Sequence, residues 1–308
     1  MAVKTLYARI LTATLVTMAV TVADVCAGKD KWSLEIGLAK QTYTMFEPVW
    51  LDVTLTNMTS DTQWTYGLPY APNQVRLYID ITDSGGNEVP YTGPQFQYSP
   101  ASGPGYPFAA GEKDYGTYNL LEFFGLPSSE SSYHLPFLRF PFMPTGAYTI
   151  QAHYEDASSN AITLTIVQPA GEEKEILDLI EKATTVLRRD NSGPAAQIFR
   201  EVVDRFPNSG FAEECYYLFK WYSLNTLEEK RAELRDFRDF SRDMLLHYPN
   251  SGDCAGWLKT ITRDLTDAEV IDTLNKYEER LPQTRCSRFA EQMSRELKQK
   301  QVQEKGRE

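Results

Sequence analysis

The hydrophobic periodicity of this sequence changes once, at residues 168–171, and this change limits what the chain can fold into. Before it, apolar and polar residues alternate in short runs, a period of two that is typical of half-buried strands. After it, apolar residues recur every three or four positions, as on one face of an α-helix. We therefore expect a strand-rich half followed by a helical half, with the junction at residues 168–171.

The first half contains six runs that fit strands, at residues 33–38, 49–56, 75–81, 115–124, 147–154 and 161–166. No helical run separates them, so we predict an antiparallel β-sandwich over residues 28–168. Residues 83–87 read as a hairpin turn. The oxygen-bearing side chains around that turn could bind calcium, but they lack EF-hand spacing, and the turn alone accounts for the pattern.

The second half contains one short pattern three times, at residues 205–209, 247–251 and 280–284. In each copy a proline ends one helix, and an Asn, Ser, Gln or Thr next to it introduces the following helix. Pro207, Pro249 and Pro282 are 42 and 33 residues apart, within the range of helical-hairpin repeats. We predict α-helical hairpin repeats over residues 171–298 and a polar tail over residues 299–308.

Two sets of residues resemble known families. The segments 46–49, 53–57, 110–112 and 144–148 are similar to the strand starts and turns of bacterial immunoglobulin-like modules, including proteinase-inhibitor modules of the BsuPI type. Ala195, Phe199, Val202 and Pro207 resemble the tetratricopeptide signature. The stretch 205–219 is similar to periplasmic tetratricopeptide proteins such as outer-membrane assembly lipoproteins. This resemblance implies degenerate repeats that present a surface to a protein or peptide partner.

The N-terminus has the pattern of a secretory signal peptide. Lys4 and Arg9 precede an apolar run that is too short to span a bilayer, and small residues lead up to Ala27. We therefore expect a signal peptide over residues 1–27, cleavage between Ala27 and Gly28, and a periplasmic or secreted protein. Lipidation of Cys26 is the alternative, although Asp24 and Val25 fit a lipoprotein site poorly.

The charge of the chain is unevenly distributed. The net charge is −11, and residues 28–170 hold six Lys or Arg against fourteen Asp or Glu. Nucleic-acid binding needs clustered Lys and Arg, so this balance argues against a nucleic-acid partner. It also argues against adsorption to anionic lipid. Nothing after the N-terminal run is apolar and long enough for a membrane span.

Three cysteines remain after cleavage. Cys254 and Cys286 occupy corresponding places after two of the repeated turns, and neighbouring hairpins would bring those helix starts together. We predict a disulfide between them, although their offsets from the prolines differ by one residue. Cys215 lies among large apolar residues and suits a buried thiol.

No motif for catalysis, cofactor binding or metal binding is present. The chain has three histidines, His134, His153 and His247, and a triad or zinc site would have to be built from distant residues. We therefore predict a non-enzymatic interaction or scaffold protein of a bacterial cell envelope, without cofactor or metal. Two alternatives stay open: a glycan-binding module using aromatics such as Trp64, Tyr66 and those of loop 91–108, and a loop-based enzyme or proteinase inhibitor.

Overall fold

The computed structural model describes residues 31–69, 71–73, 76–93, 106–124, 143–187, 192–225 and 233–305. The predicted signal peptide and its predicted cleavage site between Ala27 and Gly28 lie outside these residues, as do His134 and much of loop 91–108. The chain from Lys31 onward forms one compact unit with strands first and long helices afterwards. The predicted order of a strand-rich half and a helical half is confirmed, and residues 168–171 lie between the last strand and the first long helix.

Ten strands belong to the first half. They are β1 (Trp32–Leu38), β2 (Thr42–Thr44), β3 (Trp50–Asn57), β4 (Gln63–Thr65), β5 (Leu77–Asp83), β6 (Tyr106–Phe108), β7 (Lys113–Asn119), β8 (Gly146–Tyr154), β9 (Ala157–Ser158) and β10 (Ile162–Val167). One sheet has the order β1-β3-β7, a second has β2-β10-β8-β5 with β9 paired to β8, and β4 pairs with β6. The prediction of antiparallel pairing is wrong for one described pair, since β2 and β10 run parallel.

Eight helices are described, one short helix among the strands and seven after them. They are α1 (Leu120–Phe123), α2 (Glu172–Leu187), α3 (Ser192–Arg205), α4 (Ala212–Asn225), α5 (Glu233–His247), α6 (Cys254–Thr262), α7 (Asp267–Arg280) and α8 (Arg285–Lys305). None of the helices in this part of the chain is both long and apolar enough to span a membrane.

The short helix α1 corrects one prediction. Residues 115–124 read as a single strand, but the strand ends at Asn119 and Leu120–Phe123 are helical. The side chain of Asn119 accepts a hydrogen bond from the backbone N–H of Leu121, a capping interaction that ends the extended run. Because three of the four residues of α1 are buried apolar side chains, alternation alone could not distinguish this turn from a strand.

The alternating residues of β3 form the centre of the strand half. Leu51, Val53 and Leu55 are at most 1% exposed, and β3 is hydrogen-bonded to β1 on one side and β7 on the other. Their side chains belong to a continuous apolar core that also contains buried residues of α2, α3 and α4. A second core joins α4 to α8, and Tyr115 of β7 packs against it. The two halves therefore share buried apolar packing.

The repeated turns fix the helices against the strand half. A Cβ added to Gly210, in the first turn, would lie 1.7 Å from Oε1 of Glu47. A Cβ added to Gly252, at the same place in the second turn, would lie 2.0 Å from the ring of Trp50. Only glycine permits contacts this close.

The third turn has an arginine at the corresponding place and makes an ion pair instead. Arg285 donates from Nε to Oδ1 of Asp52 at 2.7 Å and from a terminal nitrogen to Oδ2 at 3.1 Å. It also donates to the backbone carbonyl of Asn250 in the second turn. Successive turns therefore contact successive positions from Glu47, just before β3, to Asp52 within β3.

The last helix covers the edge of the first sheet. Gln292 accepts a hydrogen bond from the backbone N–H of Tyr115 at 3.0 Å and donates to Asp114, and Arg295 pairs with Glu112 at 3.0 Å. These contacts satisfy polar groups on the outer side of β7, which would otherwise be an open sheet edge. The helix continues to Lys305, so most of the predicted tail, residues 299–305, is helical.

We predict that Gly252→Ala destabilises the protein, because the new methyl group would overlap the Trp50 ring. The expected loss is about 1–3 kcal/mol of unfolding free energy, measured by urea denaturation. Gly256→Ala is the matched control, because Gly256 lies in α6 with nothing within 4 Å of an added Cβ. That control should be neutral or stabilising by up to about 1 kcal/mol. Equal stability of the two variants would show that the turn does not press on Trp50.

Candidate functional site

A cleft of about 370 Å³ lies where the repeated turns meet the strand half. One wall is formed by residues 39–50 and the start of α1. The other is formed by the first two repeated turns, the start of α4 and Arg285. The cleft exists only because both halves contribute to it. Its volume is within the range of small-ligand sites.

Four carboxyl groups converge on this cleft, each supplied by the beginning of a helix. Burial raises the pKa of Glu122 and Glu213 to about 7, and repulsion from Asp253 adds to it. Burial likewise raises the pKa of Glu214 to about 8, with repulsion from Glu213, Asp253 and Glu122 adding to it, and raises that of Asp253. Carboxyl groups that give up water without gaining a cation hold their protons to near-neutral pH.

The two cations that line the cleft are already engaged. Lys40 places its ammonium 2.5 Å from Oε1 of Glu47 and 4.9 Å from the centre of the Tyr43 ring. Arg285 is paired with Asp52, so its charge only partly offsets that of Glu213. The four converging carboxyl groups therefore have no counter-ion of their own among the described residues that line the cleft.

Two hydroxyl groups at the cleft are buried without a hydrogen-bond partner. Tyr43 is 4% exposed, and its hydroxyl makes no hydrogen bond of normal geometry. Burial raises the pKa of Tyr43, and the backbone N–H of Lys40, which lies near the hydroxyl, offsets this only in part. The Oγ atom of Ser209 is also buried and unpartnered. Leaving such a group unsatisfied costs about 1–3 kcal/mol, so the cleft offers unused hydrogen-bonding capacity.

The cleft is lined by polar and aromatic side chains. In the described residues no group of His, Cys, Asp and Glu side chains is arranged to hold a metal ion. The Tyr248 phenol, at the edge of the cleft, donates to the carbonyl of Ala212, and burial raises its pKa to about 12. The arrangement therefore offers carboxylates, hydroxyls and aromatic rings to a ligand.

The predicted disulfide residues lie beside one another. The thiol of Cys254 donates to the carbonyl of Ser251 at 2.8 Å and approaches that of Pro249, which also accepts from the backbone N–H of Cys286. Cys215, Cys254 and Cys286 are all free and buried in the structure. The disulfide stays a prediction, and mass spectrometry of the non-reduced protein would detect it.

The aromatic residues of the alternative glycan-binding prediction are divided between the surface and the core. Trp64 is 56% exposed and Tyr66 is 40% exposed, and the guanidinium of Arg76 lies 4.9 Å from the Tyr66 ring. In contrast, Phe108 is 1% exposed, and Tyr91 packs on the rings of Phe123 and Phe124. Among the described aromatic residues of this prediction, the neighbouring rings of Trp64 and Tyr66 are therefore exposed.

One further cluster joins residues that the sequence did not connect. The ring of His153 has Nδ1 at 2.9 Å from Oγ of Ser158 and Nε2 at 3.1 Å from Oδ2 of Asp80. Ser, His and Asp are the residue types of a catalytic triad. These three residues, however, lie on the outer face of the second sheet, and the Asp80 side chain is 58% exposed. Acyl transfer depends on a water-excluded oxyanion site, which an open strand face does not provide.

The turn at residues 83–87 forms as predicted, and the carboxylate of Asp83 is engaged within it. Asp83 accepts hydrogen bonds from the backbone N–H groups of Gly85 and Asn87 at 2.8 and 2.9 Å. These bonds lower the pKa of Asp83, together with a bond from the Asn87 side chain.

No protein-family model matches this sequence, and a search of curated proteins returns no match.

Sequence reasoning did not identify the cleft. Glu213, Glu214 and Asp253 read as ordinary acidic residues at helix starts, where they favour the helix dipole. The sequence signal that could have identified these acids as site residues was their position directly after two copies of the same Pro-Asn-Ser-Gly turn, at residues 207–210 and 249–252. Only the docking of both turns on the strand half places these acids in one cavity.

We predict that the protein loses stability as pH rises through the neutral range. The cleft carboxyls have higher pKa values in the folded chain than in the unfolded chain, so the folded state binds more protons between about pH 5 and 8. Their contribution is therefore fully present below their ordinary pKa values, and it is lost as pH rises through about 7–8. The expected loss from pH 5.5 to 8.5 is about 1–3 kcal/mol in urea denaturation.

Two glutamine variants test whether the cleft carboxyls cause this pH dependence of stability. Glu214→Gln should flatten the decline and be more stable than the original protein at pH 8.5. Glu173→Gln, on the exposed start of α2, should leave the decline unchanged. A decline of the same size in both variants would place its origin outside the cleft.

Proposed function

We propose that this chain is an exported, non-enzymatic protein-interaction protein of a bacterial cell envelope, and that a polypeptide partner binds in the cleft between its two halves. The observation that carries the proposal is the cleft itself. Both halves build it, its four converging carboxyl groups have no cation paired with them among the described residues that line it, and two of its hydroxyl groups are buried without a hydrogen-bond partner. Interaction sites commonly form at such junctions.

The proposal includes the finer fold assignment. Two sheets that contribute to one core support an immunoglobulin-like sandwich, as the resemblance to BsuPI-type modules implies. Helices that contact their neighbours in sequence and are joined by three similar turns support degenerate tetratricopeptide-like repeats. Export rests on the sequence pattern of residues 1–27 and suits a periplasmic or secreted protein.

The shared core supports a rigid adaptor. Since α2, α3 and α4 share buried packing with the sheets, a partner held in the cleft contacts two surfaces with a fixed relative position. Preorganisation of this kind lowers the entropic cost of binding.

Glycan binding is a second candidate, supported by a different surface. Trp64 and Tyr66 are neighbouring exposed rings on and beside β4, and exposed rings of this kind can stack on sugar faces. This surface does not involve the cleft, so variants can separate the two candidates.

We predict that filling the cleft removes partner binding. Ser209→Trp places a large ring in the cleft, while Trp64→Ala removes the exposed ring of the second surface. Both proteins would be immobilised beside the original protein and exposed to envelope proteins and to envelope polysaccharide, with circular dichroism to verify that each is folded.

The proposal expects a protein that the original chain and Trp64→Ala both retain and that Ser209→Trp does not. Polysaccharide retention lost only in Trp64→Ala would favour the glycan function. Retention of the same proteins by all three chains would contradict a partner site in the cleft.

A further inference from the structure

The acidic and hydroxyl groups of the cleft share one chemical character, because their oxygen atoms can accept hydrogen bonds from a cation. Glu213 and Glu214 project from the first turn of α4, and Glu122 and Asp253 complete the acidic wall. Glu47 is buried as well, but its carboxylate is occupied by Lys40 and by the backbone N–H of Thr44 at 3.0 Å.

A separate observation points to a ligand in the same place. Tyr43 is 96% buried at the cleft wall, and its hydroxyl makes no hydrogen bond of normal geometry, although the backbone N–H of Lys40 lies near it. Folding does not normally leave a phenol in this state, and a group bound in the cleft would satisfy it. Ser209 contributes a second buried, unpartnered hydroxyl from the opposite wall.

We infer that the cleft binds a cationic nitrogen group, the ammonium of a lysine or the guanidinium of an arginine carried by the polypeptide partner. This inference rests on the proposed function and names the group of the partner that the cleft recognises. Carboxylates and hydroxyl oxygens accept from N–H donors, and the rings of Phe46 and Trp50 in the cleft walls suit the alkyl stem of such a side chain.

The chain itself shows this mode of recognition. Lys40 already lies between a carboxylate, that of Glu47, and an aromatic face, that of Tyr43. A second cation would find the same two kinds of group deeper in the cleft, where the other acids have no such partner. An anionic ligand would instead meet the four carboxyl groups, and only the engaged Lys40 and Arg285 would attract it.

Binding should release protons. The carboxyls that would contact the cation hold protons near neutral pH, and an adjacent positive charge favours their ionised form. The other charged or titratable groups that face them are Lys40, Tyr43, Glu47, Asp52, Cys215, Tyr217, Tyr248, Cys254 and Arg285. The two cations in this set are ion-paired, and burial raises the pKa of the phenols and thiols, so the released protons come from the acidic wall.

The test is calorimetric titration of the full exported protein with short peptides that differ in one side chain. The probes are blocked tripeptides with a central lysine, arginine, acetyl-lysine or norleucine, together with the free diamine 1,4-diaminobutane. Each titration would be run at pH 6.5 and 8.0 in two buffers of different ionisation enthalpy, which gives the number of protons released.

The inference expects the lysine or arginine peptide to bind at least tenfold more tightly than the norleucine and acetyl-lysine peptides. It also expects tighter binding at pH 8.0, with net proton release. Glu214→Gln should weaken cationic binding about tenfold and reduce the proton release, while Glu173→Gln should change neither. Tighter binding of the diamine than of either cationic peptide would make a free amine the ligand and overturn the peptide assignment.

Two failures can be told apart. If the neutral peptides bind as tightly as the charged ones and Ser209→Trp abolishes both, the cleft receives a polypeptide but does not select a cation, and the inference alone fails. If no probe binds and the envelope partner is retained by Ser209→Trp, both the inference and the proposed function fail.

Discussion

The contact between the repeated turns and the segment from Glu47 to Asp52, which contains the start of β3, is the interaction on which the rest of the structure depends. Gly210 lies against Glu47, Gly252 lies against Trp50, and Arg285 pairs with Asp52. The three contacts occur in the same order along the strand half and along the helical half. We call this set of three contacts the seam. The seam aligns the starts of α4, α6 and α8 with a single strand, and the shared apolar core forms on one side of it.

The same seam explains why the cleft is acidic and only partly satisfied. Helices that begin at the seam direct Glu213, Glu214 and Asp253 towards the strand half, where Glu122 faces them. Bringing the half-buried Glu122, Glu213 and Glu214 together beside Asp253 costs stability, and the cost is reduced by retaining protons rather than by internal ion pairs. Sites that sacrifice stability in this way are commonly binding sites, which is why the proposed function is assigned to the cleft.

Much of the fold could be predicted from periodicity, because alternation and three- to four-residue spacing report directly on burial. The strands around Leu51 and Ile150 and the helix containing Ile176 and Ile180 lie where the pattern places them. The helix at Leu120–Phe123 was missed because three buried apolar residues in a run of four have no distinguishing period. The cleft was missed for a different reason, since its acids are separated from Glu122 by about ninety residues or more and only the docking of the halves brings them together.

The central claim is that the seam joins strands and helices into one cooperative unit. Hydrogen exchange measured by mass spectrometry across a urea series tests it most directly, by comparing peptides from β3 with peptides from α6. The account predicts that both sets lose protection at the same urea concentration and with the same opening free energy. Loss of protection in β3 and α6 at clearly different urea concentrations would show that the halves unfold independently and would contradict the account.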